Sequence, residues 1–449
     1  MPTPPIEITP LERPFNITFP DVEKGIPPIP GSKSLTNRAL PLAALADGKS
    51  ILTGVLFSDD TRVMMQALQN LGFTLDIDEP NHTVTVHGQG GKIPADNAEI
   101  FLGNSGTSMR FLTAMCALGT GKYTLDGIPR MRERPIADLV GALETLDAVI
   151  YYNEDEGYPP LYLNSNGLRH DDGESLTELP ANTSSQFISA VLMAGACAED
   201  GITLRLTGDI VSRPYIEMTL ALMKQFGAEV ELLDDLRCIR VKQTGYRAMD
   251  YAIEPDASSV SYFTAAAAAV PGSQCTIKHL GTASLQGDVD FAHELAEMGA
   301  STELADTSTT VSSSPSSHLR GYTQDLNHIP DAAMTIATLA ILADGPTTIR
   351  NVGNWRVKET DRMAAMETEL RKLGATVSVN GDDITITPPA SGKTTPAAID
   401  TYDDHRIAMA FSVIGLAQPG VTINDPDCVN KTFPDFFKYL DYLRQSARD

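Results

Sequence analysis

The chain has 449 residues, 42% of them apolar, enough to fill two or three ordinary cores. Its 58 Asp and Glu against 34 Lys and Arg leave a formal charge of −24. That balance excludes nucleic acid and anionic membrane as main partners, but not small anions held by a local cluster of cations. The opening MPTPPIEITPLERPF has neither the basic start nor the apolar run of a secretory signal. The longest small-apolar run, residues 262–270, is too short to cross a bilayer. Five scattered cysteines without a C-x-x-C pair argue against a disulfide framework or a zinc site, so a cytoplasmic protein is expected.

Taken in order, the predicted elements repeat. A polar helix start (GSKS), an apolar helix (RALPLAALA), a glycine turn and a β-prone stretch (ADGKSILTG) come first, around Gly48. The same succession returns as GNSGTSMR to GTGKYTLDG at Gly121, NTSSQ to EDGITLRLTG at Gly201 and EPDASS to VPGSQCTIKHLG at Gly272. It closes with NHIPDAAM to ADGPTTIRNVG at Gly345 and TYDDHR to QPGVTINDP at Gly420. The glycines are 73, 80, 71, 73 and 75 residues apart, so six units of about 75 residues account for nearly the whole chain.

The helix before each glycine is apolar nearly all round and is expected to be buried on every side. A second, striped helix follows it, as with Phe291, Leu295 and Met298 or Met366, Leu370 and Leu373. The striped helices stop at Leu-Gly-type steps (LGF, FGAEV, MGAST, LGATV), where glycine takes the left-handed C′ position. Alternating strands come next, with Asn380-Gly381 as a tight hairpin turn. The fold class is therefore α/β with helices at the core. Six units exceed one core, so two lobes of three units are expected: residues 1–31 plus 254–449 as a discontinuous lobe, and 32–253 inserted in it.

All six buried helices begin on Ser, Thr, Asn, Asp or Gly, as N-caps do. Helix N-termini also suit anions, and cations recur beside them: Lys33, Arg38, Arg110 and Arg406, with Arg130, Lys358, Arg362 and Lys431 in nearby loops. A polyanionic ligand fits that pattern. No P-loop or dinucleotide fingerprint competes, and Asp403-Asp404-His405 lacks a second histidine at ligand spacing, so no metal is expected. Ser184 and Ser185 have no nucleophile context and read as hydroxyl donors.

GSKSLTNRA, LGNSGTSMR, PRMRERPI, SSQF, SRPYIEMT, NHIPDAAMTIATLA, NWRVKETDRM, DDHRIAMAFS and KTFPDF, in that order, resemble the signature segments of the 5-enolpyruvylshikimate-3-phosphate (EPSP) synthase family. The resemblance implies a two-lobed, inverse α/β barrel-like enolpyruvyl transferase fold of six βαβαββ units with its active site in the cleft. It implies transfer of the enolpyruvyl group of phosphoenolpyruvate to the 5-hydroxyl of shikimate 3-phosphate through a tetrahedral ketal phosphate. The enzyme is then a monomer of the shikimate pathway needing no cofactor, with glyphosate as competitive inhibitor. Carried over by position, Lys33, Ser34, Arg38, Ser184, Ser185, Ser212, Tyr215, Asp331, Asn354 and Lys358 would bind shikimate 3-phosphate. Lys33, Asn104, Gly106, Thr107, Arg130, Gln186, Arg362, Arg406 and Lys431 would bind phosphoenolpyruvate, with Asp331, Glu359 and Lys33 as the proton-transfer groups. Those types suit the reaction: an alcohol must lose a proton, a methylene must gain one, and phosphate and carboxylate need guanidinium forks.

One departure stands out. Phe111 occupies a position where the family usually carries proline, and its bulk at the helix's first turn is expected to displace the helix bearing Gly106 and Thr107. Two other readings compete. A sister transferase acting on UDP-N-acetylglucosamine needs a loop cysteine near PRMRERP, and none lies between Cys116 and Cys197. A non-catalytic anion-binding scaffold would have no use for Asp331 and Glu359 beside Lys33 and Lys358.

Overall fold

A computed structural model describes residues 3–169 and 175–447. The chain divides into two compact units, Met1–Pro30 with Glu254–Asp449 and Gly31–Ile253. In the second of these, α1 (Lys33–Leu45), α2 (Asp59–Asn70), α3 (Gly106–Ala117), α4 (Ala137–Glu144), α5 (Ser185–Gly195) and α6 (Arg213–Gln225) alternate with strands. The first contains α7 (Ala257–Ala269), α8 (Phe291–Glu297), α9 (Ala333–Leu339), α10 (Arg362–Lys372), α11 (His405–Ala417) and α12 (Phe436–Ser446).

The glycine-turn repeat becomes six small sheets, each combining parallel with antiparallel pairing. In the second repeat, Asn97–Phe101 runs parallel to Lys122–Asp126, and Leu161–Asn164 and Ile150–Tyr152 follow antiparallel. Strand, buried helix, strand, striped helix and hairpin make up the βαβαββ unit. Three sheets borrow a strand from a distant part of the chain. Tyr246–Arg247 and Asp250–Ala252 run parallel to Ala46–Thr53, while Asn16–Phe19 joins Gln274–Lys278. Ile6–Ile8 pairs antiparallel with Val421–Ile423.

The even-handed hydrophobicity of the odd-numbered helices is explained by their surroundings. In one unit α3 packs on both α1 and α5; in the other α7, α9 and α11 pack on one another, with sheets outside. Ala265, Ala266 and Ala267 of α7 are fully buried, and their small side chains allow close helix approach. Each large aliphatic side chain in these cores is worth about 1.5–3 kcal/mol when fully buried. The striped helices bury one face, as Leu295, Met298, Met366, Leu370 and Leu373 do. Four of them stop on glycines with positive φ: Gly72 (88°), Gly227 (89°), Gly299 (104°) and Gly374 (91°). The stop after α4 uses Asp147 at φ 60° instead, which hid that step from a glycine search.

Two local expectations need correction. The hairpin turn is one residue later than expected: Asn380 pairs with Asp383, so Gly381 and Asp382 are the central residues. Of these only Gly381 has positive φ, as a II′ turn requires. N-capping also holds for fewer helix starts than the composition suggested. Ser32, Ser184, Asp256 and Asp404 accept amide bonds at their helix starts, whereas the starts of α3 and α9 have no side-chain cap. Among the described residues no helix is long and apolar enough to cross a membrane.

Candidate active site

The missing cap of α9 exposes a different use for its leading carboxylate. Asp331 Oδ1 lies 3.0 Å from Arg362 and 3.6 Å from Lys358 Nζ, and Oδ2 accepts from Arg406 at 2.9 Å. Burial alone would raise this carboxyl, but Arg406, Lys358 and Arg362 together hold it far below the usual carboxylate range. Arg362, the first residue of α10, has almost no exposure and meets three carboxylates. Its Nε and one terminal nitrogen fork onto Asp404 at 2.7 and 3.2 Å, and it also donates to Glu359 and Asp331 at 3.0 Å each. Burial would lower its pKa; Asp404, Glu359 and Asp331 raise it instead.

Local structure fixes these groups. Asp404 caps α11 through the Arg406 amide at 2.9 Å, which presents the Arg406 side chain to Asp331 and, at 3.4 Å, to the Tyr262 hydroxyl. The turn Gly353–Val357 is pinned by the single tryptophan, whose indole N–H donates to the Pro330 carbonyl at 2.7 Å. That bond ties the segment bearing Asn354, Lys358 and Glu359 to the residue before Asp331. Lys431 ends the turn Pro426–Lys431 and is largely buried. Asp404 and Trp355 were not among the sequence candidates. The DDH run had suggested only a cap or a metal cluster, and nothing in the spacing links Trp355 to Pro330.

A second set lies on the other unit, by itself. Lys33 opens α1 with its Nζ 3.4 Å from Asp60 Oδ2 of α2, a partner that sequence reading missed. Arg38 Nε donates to Thr219 Oγ1 at 2.7 Å, and its terminal nitrogens reach the Ser34 and Tyr215 carbonyls and Ser189 Oγ at 2.9, 3.4 and 3.5 Å. Burial pushes this guanidinium down to about 10, with Tyr215 opposing the shift. Ser184 caps α5 through the amide of Gln186, and the Gln186 side chain donates to Thr107 Oγ1 at 3.2 Å. Ser185, beside them, is buried. Ser212 holds a left-handed conformation (φ 53°) at the start of α6, and its carbonyl accepts the Tyr215 amide at 3.1 Å. Arg130, with a partly exposed side chain, pairs with Glu133 at 2.9 Å.

Gly106 begins α3 where a Cβ would stand 2.4 Å from an Arg134 nitrogen and 2.7 Å from one of Arg110. Any side chain there displaces a guanidinium. Arg134 also holds the Asn104 carbonyl and side-chain oxygen at 3.1 and 3.2 Å, a role its place in PRMRERP did not reveal. Phe111 does not sit where the sequence suggested. It lies in the interior of α3, not in its first turn, because the helix already starts at Gly106. Its ring is buried, with the Arg38 guanidinium carbon 5.2 Å from the centroid. Among the described residues no group of three or more His, Cys, Asp or Glu is arranged to hold a metal ion.

A family model described as EPSP synthase (3-phosphoshikimate 1-carboxyvinyltransferase) matches residues 20–440. The chain belongs to the EPSP synthase family. A 3-phosphoshikimate 1-carboxyvinyltransferase of Marinomonas sp. (strain MWYL1) is 49% identical over 422 residues, covering 92% of this chain and 96% of that one. The protein of the same name from Shewanella denitrificans is 48% identical over 421 residues, with 93% and 96% covered. A solved structure of EPSP synthase from Acinetobacter baumannii superposes with a TM-score of 0.77 at 25% identity, covering 98% of both chains. The two-domain α/β fold of EPSP synthase is therefore the fold of this chain.

Proposed function

We infer that this chain transfers the carboxyvinyl group of phosphoenolpyruvate to the 5-hydroxyl of shikimate 3-phosphate and releases phosphate. The substrate hydroxyl oxygen bonds to C2 of phosphoenolpyruvate as the hydroxyl loses its proton and the methylene carbon gains one. The bond from C2 to the phosphate oxygen of the resulting ketal then breaks, and the methyl group returns a proton. In our reading Asp331 and Glu359 exchange those protons with help from Lys33. Arg406, Lys431 and Arg130 neutralise phosphoenolpyruvate, while Arg38, Ser184, Ser185 and Ser212 hold shikimate 3-phosphate.

The observation that carries the reading is the cation cluster on Asp331. A carboxylate held by Arg406, Lys358 and Arg362 stays ionised and is a weak base as it stands. An anion that takes Arg406 withdraws one of those cations, so the proton affinity of Asp331 rises when phosphoenolpyruvate arrives. Arg362 is different: three carboxylates already neutralise it, so its main task in this reading is to align Asp331 with Glu359. Five free cysteines support a reducing, cytoplasmic location, and we propose a monomer acting on two small substrates.

Phosphate release with both substrates tests the assignment, each omitted in turn as a control. Asp331→Ala and Glu359→Gln are each expected to lower kcat on the order of 10²–10⁴-fold while shikimate 3-phosphate still raises the melting temperature. Near-full turnover in either variant removes that residue from the proton transfer.

A further inference from the structure

Glu369, in the middle of α10, is a fully buried carboxylate that takes no part in the chemistry above. Its Oε1 accepts the Tyr402 hydroxyl at 2.6 Å, and its Oε2 accepts the Asp400 amide at 3.1 Å, with Lys372 Nζ 2.8 Å away. Tyr402 and Asp403 both adopt left-handed backbone, at φ 56° and 55°. L-residues rarely enter that region, and two in succession persist only where the surroundings hold them.

The surroundings here are specific. Asp400, two residues before the pair, is held by Lys372 and by Asn424 at 2.7 Å each. Just after it, the Asp404 amide bonds back to the Thr401 carbonyl at 2.9 Å, and the Asp404 carboxylate receives the Arg362 fork. One helix thus grips the strap at both ends, with Arg362 at its first residue and Glu369 two turns on. Partial burial and the Glu369 carboxylate push the Tyr402 hydroxyl up to about 12, so it remains a donor across the neutral range. Three residues past the left-handed pair stands Arg406.

We propose that Glu369 is a positioning residue: through Tyr402 it holds the left-handed pair 402–403 and so sets where α11 begins and where Arg406 presents its guanidinium. The inference rests on the reading of Arg406 as a phosphoenolpyruvate ligand. Tyr402→Phe removes one hydroxyl from a part-exposed residue outside the substrate-binding set. It is expected to raise the Michaelis constant for phosphoenolpyruvate about 3- to 10-fold, with kcat changed less than about twofold. The Michaelis constant for shikimate 3-phosphate should be unmoved. Adding Asp403→Gly, which relieves one left-handed residue, should restore at least about half of the loss.

Glu369→Gln should give the same split more strongly; if it does not fold, Tyr402→Phe and its glycine partner carry the test. An unchanged constant for phosphoenolpyruvate in Tyr402→Phe overturns the proposal, as does a rise that Asp403→Gly leaves untouched. Arg406→Ala, measured alongside, separates the two readings. No rise there defeats the ligand assignment itself, whereas a rise there without one in Tyr402→Phe defeats only the positioning role.

Discussion

Arg38 and Arg362 are both buried guanidiniums, and their surroundings give them opposite tasks. Three carboxylates compensate Arg362. Arg38 is held by hydroxyls, carbonyls and the face of Phe111, none of which carries a full negative charge. Its lowered pKa, still near 10, leaves it charged at neutral pH, so it sits as a largely uncompensated cation. A phosphate dianion is the natural partner for such a group. The ring of Phe111, worth about 0.5–2 kcal/mol to the guanidinium, holds it in place to receive that phosphate. Phe111→Leu is therefore expected to raise the Michaelis constant for shikimate 3-phosphate about 2- to 10-fold with kcat little changed. Steady-state kinetics at saturating phosphoenolpyruvate checks this, and an unchanged constant would reduce Phe111 to packing.

At the scale of elements, the turn Gly353–Val357 is tied to the residue before Asp331 by the bond from Trp355 to Pro330. Trp355→Phe leaves a buried carbonyl unsatisfied, at a cost of about 1–3 kcal/mol. In a unit of this size that corresponds to a melting temperature lower by roughly 2–12 °C. The variant should also lose kcat about tenfold, because Lys358 and Glu359 follow directly on the freed turn. Calorimetry and turnover measured on the same preparation check both. Elements of this kind mark where the sequence stopped being readable. The repeat was legible because turns impose local chemistry: Gly48, Gly201, Gly272 and Gly420 all take positive φ. Buried helices were legible from their all-round apolarity; that Asp331, Glu359 and Arg406 would gather around Arg362 was suggested only by the family resemblance. Partnerships were not. Asp60 with Lys33, Arg134 with Asn104 and Trp355 with Pro330 join residues 25 to 30 positions apart through tertiary packing that no period encodes.

For the molecule as a whole, the charge of −24 opposes the approach of two anionic substrates at long range, whereas their binding groups act at contact. Salt screens the first effect more than the second, because the Debye length is already about 10 Å at 0.1 M. Raising salt from about 10 mM to about 100 mM should therefore increase kcat/KM about two- to fivefold, the reverse of a steered enzyme. A decrease would mean that the local cations govern the approach as well. The borrowed strands have a different consequence, which concerns time. Residues 31–253 form a continuous unit whose closing strands, Tyr246–Arg247 and Asp250–Ala252, emerge last, so its first sheet is completed as synthesis passes that point. Ile6–Ile8 must instead wait for Val421–Ile423, more than 400 residues later. At about 5–20 residues per second that is roughly 20–80 s on the ribosome. During that interval Ile6–Ile8 has no native partner, and one half of the protein can be folded while the other is still waiting for its edge.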